Sequence, residues 1–216
     1  MKKIVIIFTF FIGSCSSNKL DKTESENLKA EFIEMHKIDQ IAAAGKPNGE
    51  FINYQKEKWS KFQDSIFSKH KKRVESLFNK FGFLGINELG KSGTYDFWLI
   101  VQHSDEFPEF QRKVLKSMKK ELKKENANPQ NYAYLQDRVN ANSGKKQVFG
   151  TQVEYTENGQ AKAKNGLVDS LNIDKLRKKY NLEPLKKYLN EMTEMHFEMN
   201  KVNFNKRGIT KPNLYK

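Results

Sequence analysis

The chain has 216 residues, 30% of them charged, with a formal net charge of +13 and a single cysteine. That length suits one domain with short extensions, and sixteen Phe, eight Tyr and two Trp supply enough bulk for a core to exclude wholesale disorder. One cysteine excludes an intramolecular disulfide framework and any multi-cysteine zinc or iron–sulfur site.

Met1-Lys-Lys precedes the nine-residue stretch Ile4–Ile12, and Gly13-Ser14-Cys15 follows it. This is a basic segment, a short apolar segment and a small-residue exit. At about 1.5 Å per residue the apolar part is too short for the roughly 30 Å of a bilayer core. Ile12-Gly13-Ser14-Cys15 resembles the lipobox of bacterial lipoprotein precursors. The resemblance implies cleavage before Cys15, lipidation of its thiol and a membrane anchor of two or three chains, which binds stably where one does not. Ser16, rather than Asp, follows the cysteine, which by the enteric sorting rule favours the outer membrane. Residues 1–14 are thus expected to be a signal peptide, 15–23 a lipidated tether and 24–203 a single domain. Losing Lys2 and Lys3 leaves 37 basic against 26 acidic residues, a net +11.

Apolar residues at Leu28, Phe32, Met35, Ile38 and Ala42 predict a helix over 24–44. Gly45-Lys-Pro-Asn-Gly49 breaks it. A long helix is expected over about 50–80, with Trp59, Phe62, Ile66, Leu77 and Phe78 on one side and Lys69–Arg73 on a solvated face. Phe81–Gly90 reads as a packed connector, and Ser92 as the cap of a helix from Gly93 to His103. Pro108 suits the first turn of a helix within 106–125, and Asn128-Pro129 opens another that ends near Asn142-Ser-Gly144. Val148–Tyr155 predicts a strand, turned at Glu157-Asn-Gly159 into a hairpin through 160–164. Helices over about 172–180 and 184–201 follow, then a frayed basic tail at 204–216. The fold class expected is mainly α: a helical domain with one small β-hairpin.

Three places carry polar residues that this scheme does not require. His103 and Asp105 stand at the carboxyl end of an apolar helix, either as a base with its orienting acid or as terminal caps. Asp137 and Arg138 are adjacent on a helix and point about 100° apart, so each needs its own partner. Asp137 suits Lys or His103, and Arg138 suits a carboxylate or phosphate. Gln147, Thr151 and Gln152 surround Gly150 at the strand's start, where they suit a sugar, an amide or the hairpin's own backbone. His36, His70, His103 and His196 lack metal-ligand spacing and no cofactor motif is present, so neither metal nor cofactor is expected.

The run Asp137-Arg-Val139, then Gly144-Lys-x-Gln147-x-Phe149-Gly-Thr-Gln152, resembles an uncharacterised bacterial family, domain of unknown function 6624. Gln102-His103-x-Asp105 with Phe110-Gln111, and Asp174-x-x-Arg177 with Leu182-x-Pro184-Leu-x-x-Tyr188, are similar to it too. The resemblance covers about residues 60–190. Phe149 stands where the family usually has Tyr, so no role rests on a hydroxyl there. The resemblance implies a domain and no catalytic assignment.

The candidate polar site is therefore His103, Asp105, Gln111, Asp137, Arg138, Gln147, Thr151 and Gln152, with Cys15 as the lipidation site. The leading expectation is an envelope lipoprotein that binds a ligand or partner. The alternatives are a hydrolase or lyase using a His/Asp/Arg cluster, and a structural or immunity-type interaction protein. Of the 39 basic residues only five are Arg, and Arg forks dominate base and phosphate recognition. Nucleic acid is accordingly not expected as a partner.

Overall fold

Asp21 starts the first helix by accepting the Glu24 N–H at 2.8 Å while the Glu24 carboxylate reaches back to the Asp21 N–H, a capping box. The computed structural model describes residues 20–216, so Cys15 and the signal segment lie outside the described residues. Helix α1 runs Lys22–Ala43, which places its first turn inside the segment expected to be tether. A short 3-10 turn, Gly49–Phe51, leads to α2 (Lys56–Phe81), and α3 spans Ile86–Gln102. Then come α4 (Pro108–Leu122) and α5 (Pro129–Asn142), each with Pro in its first turn as expected. Strands β1 (Val153–Tyr155) and β2 (Ala161–Ala163) form the one antiparallel pair among the described residues, with Glu154 opposite Lys162. Helices α6 (Ile173–Lys179), α7 (Leu185–Met199) and α8 (Lys201–Lys206) close the chain. The mainly helical fold with one small hairpin stands.

Contacts between α1 and α3 climb both helices in step. Ser25 Oγ donates to Glu88 O, Phe32 meets Phe97 edge-on at 5.9 Å, and Asp39 meets His103. The two helices are thus parallel. Helix α2 returns antiparallel, with Lys80 on Glu24, Arg73 on Glu31 and Gln63 Nε2 donating to Ala42 O. Leu28, Phe32, Val74, Leu77, Phe97, Ile100, Val114, Met118, Leu135 and Val139, drawn from all of the first five helices, make one shared core. Each such side chain contributes about 1.5–3 kcal/mol by burial.

Four details differ from the sequence reading. Ser92 is not a helix cap: α3 begins at Ile86, where Glu88 accepts the Gly85 N–H at 2.9 Å, and it kinks at Gly90 (φ 68°, ψ 176°), a conformation glycine adopts without a Cβ penalty. Lys69–Arg73 is not wholly solvated, because His70 is 4% exposed and Arg73 forks onto Glu31 at 2.6 and 2.7 Å. The strand shrinks to Val153–Tyr155, since the N–H groups of Val148, Phe149 and Thr151 are all taken by the Asp137 carboxylate.

The last difference is the basic tail, which is docked rather than frayed. Phe204 is 4% exposed, the Tyr215 N–H donates to Asn190 Oδ1 at 2.8 Å, and the Tyr215 hydroxyl donates to Ala161 O at 2.8 Å. Gly159, at φ 82° in the hairpin turn, is what lets Phe204 in: a Cβ there would lie 2.6 Å from its ring. Gly159→Ala therefore adds overpacking to left-handed strain, and a loss of about 2–3 kcal/mol in urea denaturation is expected. A loss within ~0.5 kcal/mol of wild type, the range of an ordinary surface change, would mean that the tail does not dock on the hairpin.

Candidate functional site

Asp137 is wholly buried on α5. Its carboxylate accepts the N–H groups of Val148 (2.7 Å), Phe149 (3.1 Å) and Thr151 (2.9 Å), and the Thr151 hydroxyl at 3.1 Å. Burial pushes its carboxyl above the ordinary range against the pull of these donors. From the other side, Arg177 on α6 (1% exposed) donates to Phe149 O at 2.6 Å and to Glu183 O at 2.6 Å. Its guanidinium lies 5.0 Å from the ring centre of Tyr188, and desolvation lowers its pKa. An acid thus takes the loop's N–H groups while a cation takes its carbonyls.

Gln147 completes the loop. Its Nε2 donates to Gln152 O and Lys164 O at 2.7 and 2.6 Å, and its Oε1 accepts the Gln152 N–H at 2.8 Å. Gln152 Nε2 donates to Thr151 Oγ1, and the Tyr188 hydroxyl to Thr151 O. Asp137 and Gln147 therefore satisfy backbone, the Thr151 hydroxyl satisfies Asp137, and all three sit below 5% exposure. Asp137 holds neither a lysine nor His103, its two expected partners.

Arg138 takes a carboxylate, as expected. Its Nε and Nη2 fork onto Asp105 at 2.8 and 2.6 Å. Gln111 Nε2 (3.2 Å) and Asn142 Nδ2 (2.9 Å) donate to the same Asp105 oxygen, Oδ1. Asp105 consequently does not orient His103. That role belongs to Asp39 on α1, fully buried, whose Oδ2 lies 2.5 Å from His103 Nδ1. On the other carboxylate oxygen, His70 Nδ1 lies 3.5 Å away without an aligned hydrogen bond. Burial pulls the Asp39 pKa up, but the His103 hydrogen bond and the proximity of both imidazoles outweigh it, and the net direction is down. A second pair crosses the same helices in reverse: His36 Nδ1 on α1 lies 2.5 Å from Asp96 Oδ1 on α3.

His103 and Asp105 share a cleft of about 220 Å³ with Asp64, Phe67, Ser104 and Glu106. With Asp39 ionised, His103 Nδ1–H donates to it and Nε2 is the ring's second nitrogen. Behind the cleft, Gln111 Oε1 and Gln102 Oε1 are buried with no partner among the described residues. The eight candidates thus divide. His103 and Asp105 line the cleft and Gln111 and Arg138 hold Asp105 there, whereas Asp137, Gln147, Thr151 and Gln152 build the neighbouring loop. Asp39 and His70 were missed. A signal existed for Asp39: positions 28, 32, 35, 39 and 42 form the buried stripe of α1, and Ile38, expected there, is only partly buried.

No described helix is long and apolar enough to cross a membrane. Neither curated proteins nor solved structures give a match to the chain. A family model does match, over residues 26–200, and it takes in the α1 stripe, the cleft and the clamped loop. The chain therefore belongs to that family, described as a family of unknown function (DUF6624).

Proposed function

We propose that the chain is a lipid-anchored protein of the bacterial cell envelope, held at the outer membrane through Cys15, and that its domain binds a small polar ligand in the His103 cleft. The anchor rests on Met1–Cys15 alone. The binding reading rests on one observation: two of the cleft's polar groups, His103 and Asp105, are fixed before any ligand arrives. His103 is held by a buried carboxylate, and Asp105 is held by Arg138, Gln111 and Asn142. Such preorganisation lowers the ordering cost of binding.

The test uses the mature chain in detergent, with side-chain nitrogen NMR of His103 during additions of small carboxylates, amides and neutral sugars. At least one class is expected to shift the ring, and Arg138→Gln, which frees Asp105, is expected to weaken it several-fold. A ring unmoved by every class would overturn the reading. In the same preparation Cys15→Ala should abolish fatty-acid labelling, and continued labelling would sink the anchor.

The Asp39–His103 pair favours a second reading, a hydrolase or lyase with His103 as proton acceptor and Asp39 as its positioning residue. Arg138 has no place in that chemistry, because both arms of its fork are spent on Asp105. His103→Gln would then abolish turnover of an ester or glycoside panel while leaving ligand shifts elsewhere in the cleft intact.

A further inference from the structure

A second cavity, about 770 Å³, opens between α3, the start of α5 and the end of α6, and it shares no lining residue with the His103 cleft. Its volume falls in the range of small-molecule sites, roughly 300–1,000 Å³. Three features set its chemistry. Tyr95 and Tyr180 offer aromatic surface, with Tyr95 42% exposed and Tyr180 stacked on Tyr132. Lys91 and Lys179, both exposed, stand on the lining with one carboxylate, Glu125.

The third feature is an unmet polar group. Thr94 lines this cavity, is 2% exposed, and its hydroxyl has no partner among the described residues. A helical threonine ordinarily donates to the carbonyl four residues back. That residue is Gly90, where α3 leaves helical backbone. No such bond forms at this kink, and the hydroxyl is left unmet beside the cavity.

We infer that this cavity binds an acidic saccharide. Aromatic faces pack on the C–H faces of sugar rings, a threonine hydroxyl pairs with ring hydroxyls, and two ammonium groups against one carboxylate favour an acidic substituent. The other classes that fit the walls less fully are a neutral sugar, which leaves the lysines without a role, and an aromatic acid, which leaves Thr94 without one.

Calorimetric titration of the full mature chain in detergent tests the choice, with tri-galacturonate, maltotriose and benzoate as probes. Tri-galacturonate is expected to bind saturably, maltotriose and benzoate about tenfold or more weakly, and Lys91→Gln with Lys179→Gln to lower tri-galacturonate affinity about tenfold. These lysines are exposed, so the fold should survive, and Thr94→Val should cost a further several-fold. Absence of saturable tri-galacturonate binding, equal binding of either other probe, or unchanged affinity in the double lysine variant would each overturn the inference. None of these readouts depends on the His103 cleft.

Discussion

Asp137→Ala is expected to remove about 3–5 kcal/mol of folding free energy, because it strips the acceptor from three backbone N–H groups and one hydroxyl in a buried loop. Each orphaned donor alone costs about 1–3 kcal/mol, and the sum is less than additive because the loop can partly open to water. Asp137→Asn keeps one acceptor oxygen and replaces the other with a donor facing N–H groups, so it should fall between wild type and Ala. Urea denaturation by circular dichroism reads both variants. A loss under ~1 kcal/mol for Ala would mean that Val148–Thr151 is held by other contacts, with Arg177 the first to test. The variant leaves the Asp105–Arg138 fork in place, so stability should fall further than any function of the cleft.

The second large effect belongs to Asp39. Asp39→Ala leaves the His103 and His70 ring nitrogens facing a void in the core, and the lost buried acceptor together with the cavity costs about 3–5 kcal/mol. The pH dependence has a definite sign. The folded carboxyl titrates below its ordinary value of 3.8, so the unfolded chain binds the proton first as pH falls. The stabilisation is present above the unfolded value and is lost as pH drops through the folded one. Wild type should therefore lose more stability than Asp39→Asn between neutral pH and about pH 3, measured as the shift in urea midpoint. Equal shifts would show that the two imidazoles do not hold Asp39 ionised. In the proton-transfer reading, Asp39→Asn would also alter the pH profile of turnover, an effect beyond mere loss of folded protein.

The helices were legible because their signals are local. Pro108, Pro129 and the apolar stripes each act within a turn or two, and the observed ends fall close to the expected ones. The failures at the site are long-range. Val148–Thr151 has strand-like composition, and only a carboxylate 11–14 residues earlier in the chain converts it to a loop. The partner of His103 comes from a helix 64 residues away, so Asp105, two residues distant, looked the better candidate. Asp39 itself was hidden by its charge. A carboxylate beside Ile38 reads as solvent-facing until its register with Phe32 and Met35 is counted. In the site, Arg138 asked for a carboxylate and found one, whereas Gln147 turned its amide to the backbone and Gln152 turned its own to the Thr151 hydroxyl. Glutamine serves both uses equally, and nothing in its spacing distinguishes them.

The parallel run of α1 along α3 also decides how the domain feels a pull from its own leading end. The chain enters the helices at Lys22, and Asp39 lies about 26 Å further along the same axis at 1.5 Å per residue. Between them come the Glu24–Lys80 and Glu31–Arg73 crosslinks to α2 and the Phe32–Phe97 contact with α3. A load arriving from the N-terminal side must unzip these in turn before it reaches Asp39. On the proposed anchor at Cys15, those contacts stand between the tether and the cleft.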